Sequence, residues 1–306
     1  MPYFVQLIES LYIGAKYYCE KSLIEIICVN DGSTDESFKF VNNYESYKNF
    51  RIISIQNSGV SNARNVGLNC CKGEYVWFVD ADDYIPDNGI AVIIEKLQSI
   101  ETCVDIIFAN FFAYEEKNNE KSIFFNSNYD FNYFDKVEEH DDIFDIIFNK
   151  TKVGFTLWNQ IFNINFLQKN MLNFNTDIHI SEDFMFKVAS IYNASSIDYI
   201  NDEIYGYRLP NGRGTLSQKL PTALELDSLI NEEVKWFYIF DKKYNYESGA
   251  KYMKLLFSES LNMWFKYLSM YRADQDAEYI NSKRKEIVDI LEYLPDGVSV
   301  IFHKNI

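Results

Sequence analysis

What this chain of 306 residues lacks narrows its chemistry first. It holds 29 Lys and Arg against 45 Asp and Glu, a formal net charge of −16. Without a surplus of the cations that grip a phosphate backbone, nucleic acid is excluded as its main partner. The five cysteines, Cys19, Cys28, Cys70, Cys71 and Cys103, are odd in number and include no Cys-x-x-Cys spacing, which argues against a redox pair or a structural zinc and fits a reducing cytoplasm. No uninterrupted apolar run approaches the roughly 20 residues that span a bilayer. The N-terminus shows no basic segment followed by an apolar stretch and a cleavage site, so the expectation is a cytoplasmic protein, soluble or peripheral at the inner face of the membrane. A phosphate-binding Gly-x-x-x-x-Gly-Lys loop is absent, and Gly59-Val60-Ser61-Asn62-Ala63 lacks the final glycine of a nucleophile elbow. ATPase and serine-hydrolase chemistry drop out on those grounds. There is no internal repeat, and nothing of low complexity beyond a mild enrichment in Asn, Lys, Phe and Tyr.

What is present belongs to a folded chain. Hydrophobic residues make up 47% and charged residues 24%, with 23 Tyr and 25 Phe raising the aromatic share, a balance that supports a buried core along most of the length. The charge is uneven. Residues 219–306 carry 12 Lys/Arg against 14 Asp/Glu, leaving −14 of the −16 in the first 218 residues. Two modules are expected: a catalytic domain over 1–218 and a helical extension over 219–306. In the latter, Leu224, Ile230, Val234 and Phe237, then Leu255, Leu256, Leu261 and Phe265, recur at amphipathic spacing. Such a stripe suits a homodimer interface, a peripheral membrane contact or the completion of a core.

The first module alternates strand and helix. Leu23–Val29 is a β-branched run that stops at Asn30-Asp31-Gly32, a strand ending in a tight turn. Ser33-Thr34-Asp35-Glu36 has the form of a capping box before a helix. Arg51–Ile55, Tyr75–Val79 and Val104–Asn110 read as strands, and Ser58–Cys71 and Asp87–Gln98 as helices. Later, 141–148, 163–169 and 182–192 look helical, 196–207 strand-like, and Glu115–Lys121 a hairpin tip or loop. This order predicts an α/β fold with a mostly parallel central sheet flanked by helices, whose ligands bind beyond the carboxyl ends of the strands. Asp31 and Asp80 both stand at such ends.

The sharpest local signal is the apolar strand Tyr75-Val76-Trp77-Phe78-Val79 delivering Asp80, Asp82 and Asp83 to that edge. Carboxylates beside apolar walls are costly unless a cation joins them. A divalent ion held by one or two of them, with a diphosphate and water supplying the other oxygens, meets that need. Capping of the next helix by Asp82 and Asp83 is the plain structural alternative.

Three ordered segments carry a resemblance. They are Ile26–Asp35, with Asn30-Asp31-Gly32-Ser33; Asn57–Gly67, with Ser61-Asn62-Ala63-Arg64-Asn65; and Val79-Asp80-Ala81-Asp82-Asp83. Together with Leu157-Trp158-Asn159, Ile180-Ser181-Glu182-Asp183 and Tyr205-Gly206-Tyr207-Arg208, they are similar to the family 2 glycosyltransferases over residues 23–218. That resemblance implies the nucleotide-diphospho-sugar transferase (GT-A) fold and transfer of a sugar, with inversion, from a uridine diphosphate sugar to a glycan or lipid-linked hydroxyl. It also implies Mn²⁺ or Mg²⁺ and a place in building a bacterial surface polysaccharide. By it, Asp31 binds the uracil ring, Arg64 lies against the base, Asp80 meets the ribose or the metal, and Asp82 is the direct metal ligand. Asp183 is the general base, in a first helical turn where the backbone dipole favours negative charge. Arg208 and Arg213 lie in the loop that covers the diphosphate. Read on the residues alone, Asp31 and Asp183 also suit helix capping, Arg64 a helix surface, Trp158 either acceptor stacking or a buried aromatic, and His179 a structural role.

The pattern departs from the family at the start. Phe4–Leu11 reads as the helix that should follow an opening strand, so the strand forming the sheet's centre and a wall of the uracil pocket is expected to be missing or rearranged. An unfilled place would leave backbone groups unpaired. A catalytically silent relative that binds a partner or a glycan is therefore the rival reading. Nucleotidyl transfer onto a sugar phosphate is disfavoured, since no Gly-rich, Lys/Arg-bearing loop opens the chain.

Overall fold

The computed structural model describes residues 3–209 apart from 118–119, 137–142, 144–145 and 152–155, together with positions 225, 228, 229 and 232. The chain divides into two compact units, Met1–Gly214 and Thr215–Ile306. Arg213, His140, His303 and the helices expected after Lys219 lie outside the described residues.

The first unit opens with helix α1, Tyr3–Glu20. Val5, Ile8, Ala15 and Cys19 recur at steps of three, seven and four residues on its buried side, the stripe a helix lays against a core. Strand β1, Ile26–Asp31, follows and pairs in parallel with β2, Phe50–Ile55. Between them lies a short helix α2, Ser37–Val41, and one 3-10 turn. That helix begins later than the Ser33–Glu36 pattern predicts: the Ser33 amide instead donates to Asn30 Oδ1 at 2.9 Å, closing a side-chain turn over the end of β1.

Helix α3 spans Val60–Cys70, strand β3 Tyr75–Trp77 and helix α4 Gly89–Ser99. A long strand β4, Ile106–Lys117, turns back through β5, Glu120–Asn126. Then come β6, Gln160–Asn163, α5, Ile164–Lys169, α6, Glu182–Asn193, and β7, Ile197–Arg208. β3, β6, β4 and β5 pair antiparallel in that spatial order, and β7 runs parallel to β4. The mostly parallel sheet that was expected is thus parallel at β1–β2 and β4–β7 and antiparallel at its other pairings. A tight β4–β5 connection can only produce an antiparallel pair, and β6 enters between β3 and β4 in the opposite sense. Among the described residues, β1 pairs with no strand but β2, and β3 with none but β6.

Packing explains why the carboxyl ends of these elements converge. Phe78, just past β3, meets Phe174 edge-on at 5.1 Å and Phe186 of α6 at 5.9 Å, while Phe174 and Phe186 stack at 4.1 Å. All three are buried. Aromatic pairs of this kind add roughly 0.5–1.5 kcal/mol each beyond area burial. Phe78 lies two residues before Asp80 and Phe186 three after Asp183, so the cluster fixes the two acidic segments against one another.

Candidate active site

The Asn30-Asp31-Gly32 turn is set by Gly32, at φ 70°, where an added Cβ would stand 2.9 Å from the Asn57 amide nitrogen. Only glycine takes that backbone at no steric cost. The turn aims the Asp31 carboxylate at the entry of α3: Oδ1 accepts from the Ser58 amide and Oδ2 from the Gly59 amide, both at 2.8 Å. Asp31 thus holds the start of α3, two helices beyond β1 in sequence, rather than the helix near Asp35.

Arg64 is no surface residue. Its side chain is 15% exposed, donating through Nη1 to Glu182 Oε1 at 2.7 Å and through Nη2 to Asp80 Oδ1 at 3.0 Å. Its guanidinium lies 5.3 Å from the Phe174 ring centre, within cation–π range. Burial pulls its pKa down, but Asp80, Glu182 and Asp183 outweigh that, so the net direction is up. The fork joins the strand-end aspartate to the first turn of α6.

Asp80, with one edge open to solvent, has its carboxyl pKa raised by burial, opposed by Arg64 and reinforced by Asp183 and Asp82. Asp82 and Asp183 thus both lie near enough to act on the Asp80 charge. Glu182 is likewise raised, by burial and then by Asp183, against the pull of Arg64. Asp183 Oδ1 accepts from the Phe184 amide at 2.8 Å, Oδ2 lies 3.7 Å from Lys187 Nζ, and its side chain keeps about a third of its surface open. Lys187 itself is fully buried. Ser181, ahead of α6, takes a left-handed backbone at φ 53° and makes no side-chain cap.

Asp83 is buried and braces the next strand: Tyr205 donates its hydroxyl to Oδ2 at 2.5 Å and the Arg208 amide donates to Oδ1 at 2.8 Å. Burial, outweighing those hydrogen bonds and helped by Asp80 and Asp82, pushes its pKa up to about 8. Asp83 therefore ties the acidic turn to β7 instead of capping α4. Arg208, expected on the diphosphate, is placed inward. Nε donates to the Asp82 carbonyl at 2.7 Å, Nη2 to Gln6 Oε1 at 2.6 Å and Nη1 to Glu116 Oε2, with the guanidinium 4.1 Å from the Tyr3 ring centre. In this arrangement its fork positions the Asp82 backbone.

Trp158 takes the buried-aromatic alternative. It stacks on Tyr205 at 4.5 Å and Tyr207 at 5.4 Å, and its carbonyl accepts from Trp77 Nε1 at 2.6 Å. His179 is exposed. Sequence reasoning passed over Lys187, whose four-residue spacing from Asp183 was a readable helical acid–base pair. It also missed Tyr205 as the residue bridging Asp80 and Asp83.

Among the described residues, no group of three or more His, Cys, Asp or Glu side chains stands ready to enclose a metal ion. Arg64 bridges Asp80 and Glu182, and Lys187 lies 3.7 Å from Asp183, so these three carboxyls share two cations. A centre with that excess of negative charge fits a hard divalent ion held by one or two carboxylates and completed by phosphate oxygens.

Comparison with known proteins gives a consistent picture. Residues 2–191 match the family described as "Glycosyl transferase family 2". The Streptococcus pneumoniae glycosyltransferase GlyA is 31% identical over 195 residues, 62% of this chain and 27% of that protein. The Bacillus subtilis putative glycosyltransferase EpsH is 29% identical over 67% of this chain and 60% of its own length. This chain thus spans between about a quarter and three fifths of these relatives. Among solved structures, Staphylococcus aureus TarS 1-349 in complex with UDP-GlcNAc superposes with a TM-score of 0.61 at 20% identity, over 87% of this chain and 69% of that one. That likeness speaks to the fold. A Pyrobaculum calidifontis mannosyltransferase in complex with GDP-Man and Mn²⁺ matches at 0.51 and 14% identity.

Proposed function

Because the chain belongs to glycosyl transferase family 2, we propose that it moves a sugar from a nucleotide diphosphate donor, a uridine diphosphate sugar, to a hydroxyl of a glycan or lipid-linked acceptor with inversion. The observation that carries this reading is the Arg64 fork, which brings the turn at Asp80 and Asp82 to the first turn of α6 at Asp183. One side of the centre is suited to the departing diphosphate and the other to the attacking alcohol.

Asp183 takes the acceptor proton as the oxygen attacks the anomeric carbon from the face opposite the diphosphate, which inverts that carbon. Lys187 beneath it and Phe184 beside it hold its carboxylate in place. Asp82, with the open edge of Asp80, would hold Mn²⁺ or Mg²⁺. When bound, that ion supplies charge neutralisation of the leaving diphosphate. Asp31 stands at the nucleoside side, and its carboxylate keeps lone pairs beyond the two amides it already accepts from. Relatives that act on poly(ribitol phosphate) support a role in bacterial surface polysaccharide assembly. No helix among the described residues is long and apolar enough to cross a membrane.

The test is Asp183→Asn. Transfer should fall by about 10²–10⁴-fold, the usual contribution of a general base, while calorimetry still shows metal-dependent uridine diphosphate binding. Full turnover by this variant ends the base assignment. The edges of β1 and β3 that pair with no further strand among the described residues favour the second reading, a silent binding protein. Wild-type protein that binds neither the nucleotide nor Mn²⁺ would establish it.

A further inference from the structure

The loop 170–181 carries the chain from α5 to the first turn of α6, where Asp183 stands. Met171 and Ser181, near its two ends, take left-handed backbones at φ 52° and 53°, and Ser181 gives α6 no side-chain cap. The loop's own bonds are short-range, such as that from the Asp177 amide to Asn175 Oδ1 at 2.9 Å. A hold from a distance comes from α3. Asn65 Nδ2 donates to the Phe174 carbonyl at 2.8 Å, and Asn65 Oδ1 accepts from the Phe174 amide at 2.9 Å. One side-chain amide thus pairs with both main-chain groups of a residue 109 positions away, as a neighbouring strand would. Asparagine suits this place because its short planar group carries a donor on one atom and an acceptor on another. Phe174 is buried, where either main-chain group left unpaired is costly.

Fixing the Phe174 backbone also fixes its ring. That ring stacks on Phe186 of α6 at 4.1 Å and meets Phe78 at 5.1 Å, while Phe162 of β6 reaches Phe186 from another side at 5.4 Å. Phe186 follows Asp183 by three residues, so the stack bears on the turn that carries the carboxylate. We infer that Asn65 is a positioning residue for Asp183: by clamping Phe174 it sets where the first turn of α6 stands against the acidic turn at Asp80. The inference rests on Asp183 as the base that takes the acceptor proton. Arg64, one residue earlier, acts on both sides of the centre, since its fork holds Asp80 and Glu182 together. Both Asn65 bonds end on Phe174, so losing them displaces the acceptor side and leaves the turns at Asp31 and Asp80 in place. Lys187 belongs to α6 and moves with it, so it cannot supply this placement. A misplacement of about 1 Å, caused far from the chemistry, can cost about 10²-fold in rate.

The experiment compares the full wild-type chain with Asn65→Leu, which keeps the shape of the amide and loses both bonds, and with Asn65→Ala, which loses them without filling the space. Amide hydrogen exchange, calorimetry with uridine diphosphate and Mn²⁺, and nucleotide release from a panel of uridine diphosphate sugars are measured on each. We expect faster exchange at 174 and 182–186 with 80–83 unchanged. Nucleotide affinity should stay within about twofold of wild type while kcat falls by about 10- to 100-fold. In a chain already carrying Asp183→Asn, either Asn65 substitution should lower the residual rate by less than about twofold, because residues acting as one unit are not additive. Exchange at wild-type rates, or an unchanged kcat despite faster exchange, overturns the positioning role. Nucleotide affinity that falls as steeply as kcat, or a full further loss on top of Asp183→Asn, also overturns it, since the clamp would then support the fold at large. A wild-type chain idle on the whole panel, or full turnover by Asp183→Asn alone, ends the proposed reaction or its base, and the role of Asn65 with it. Loss of transfer in Asp183→Asn but not in Asn65→Leu ends the positioning role alone.

Discussion

Arg64 and Glu182, 118 positions apart in sequence, meet at 2.7 Å, and the same guanidinium holds Asp80 at 3.0 Å. Removing it as Arg64→Met leaves a carboxyl with 12% of its side chain exposed and one with 37% exposed. Losing a partner from a fully buried pair costs roughly 3–5 kcal/mol; the open edge of Asp80 lowers the expectation to about 2 kcal/mol. Denaturant unfolding should show that loss. Arg64→Lys should recover only part of it, because one ammonium cannot reproduce the fork. A variant as stable as wild type would mean that the bridge does not hold these segments together.

Asp83 sets a pH dependence of stability. Its folded pKa, about 8, stands above the ordinary carboxylate value, so between roughly pH 4 and 8 the folded state binds more protons than the unfolded one. Stability then falls as pH rises through that window, by up to about 1.4 kcal/mol per pH unit for this single group, and levels above it. The raised Asp80 and Glu182 act in the same direction. Asp83→Asn should flatten the slope measured by urea unfolding at pH 5, 6, 7 and 8. An unchanged slope would reject Asp83 as its source.

Arg208→Ala removes a buried guanidinium shared by Gln6, Glu116 and the Asp82 carbonyl. We expect a loss of about 3 kcal/mol in unfolding free energy, with weaker metal-dependent nucleotide binding because the Asp82 backbone loses its anchor. If stability stays intact while nucleotide binding falls, the residue contacts the diphosphate directly, as the family resemblance implied.

Those expectations also show which features a sequence can disclose. β1, α3 and α6 were legible because their signals are local: an apolar run, a turn glycine, helical spacing. The ordered motifs also marked Asp80, Asp82 and Asp183, and Arg64 ties Asp80 to Glu182, the neighbour of Asp183. The antiparallel insertion of β6 between β3 and β4 was not legible, since Val76 pairs with Phe162 and Ile106 with the same residue across separations that no periodicity encodes. The inward turn of Arg208 escaped for the same reason: Gln6 lies 202 positions away and Glu116 92. The opening helix was readable, but the bridge from Asn65 to Phe174, 109 positions away, required the fold.

Gly32→Ala tests the turn that aims Asp31. With φ at 70° and Asn57 2.9 Å from the new methyl, backbone strain of about 1–2 kcal/mol is expected. Nucleotide affinity should drop with it, as the Asp31 carboxylate leaves the Ser58 and Gly59 amides. Calorimetric titration with uridine diphosphate checks this, and unchanged affinity would separate the turn from donor binding.

The Tyr205 phenol accepts from the Asp80 amide at 3.1 Å and donates to Asp83 at 2.5 Å. A hydroxyl owns a single proton, so these two bonds can point only one way around the turn. Beside the Arg64 contact to Asp80 and the Arg208 contacts to Asp82 and Asp83, this one oxygen atom holds both ends of the segment from Asp80 to Asp83, and deleting it as Tyr205→Phe frees two attachments together. The fault would then register at the acidic turn although the substituted ring never leaves the interior.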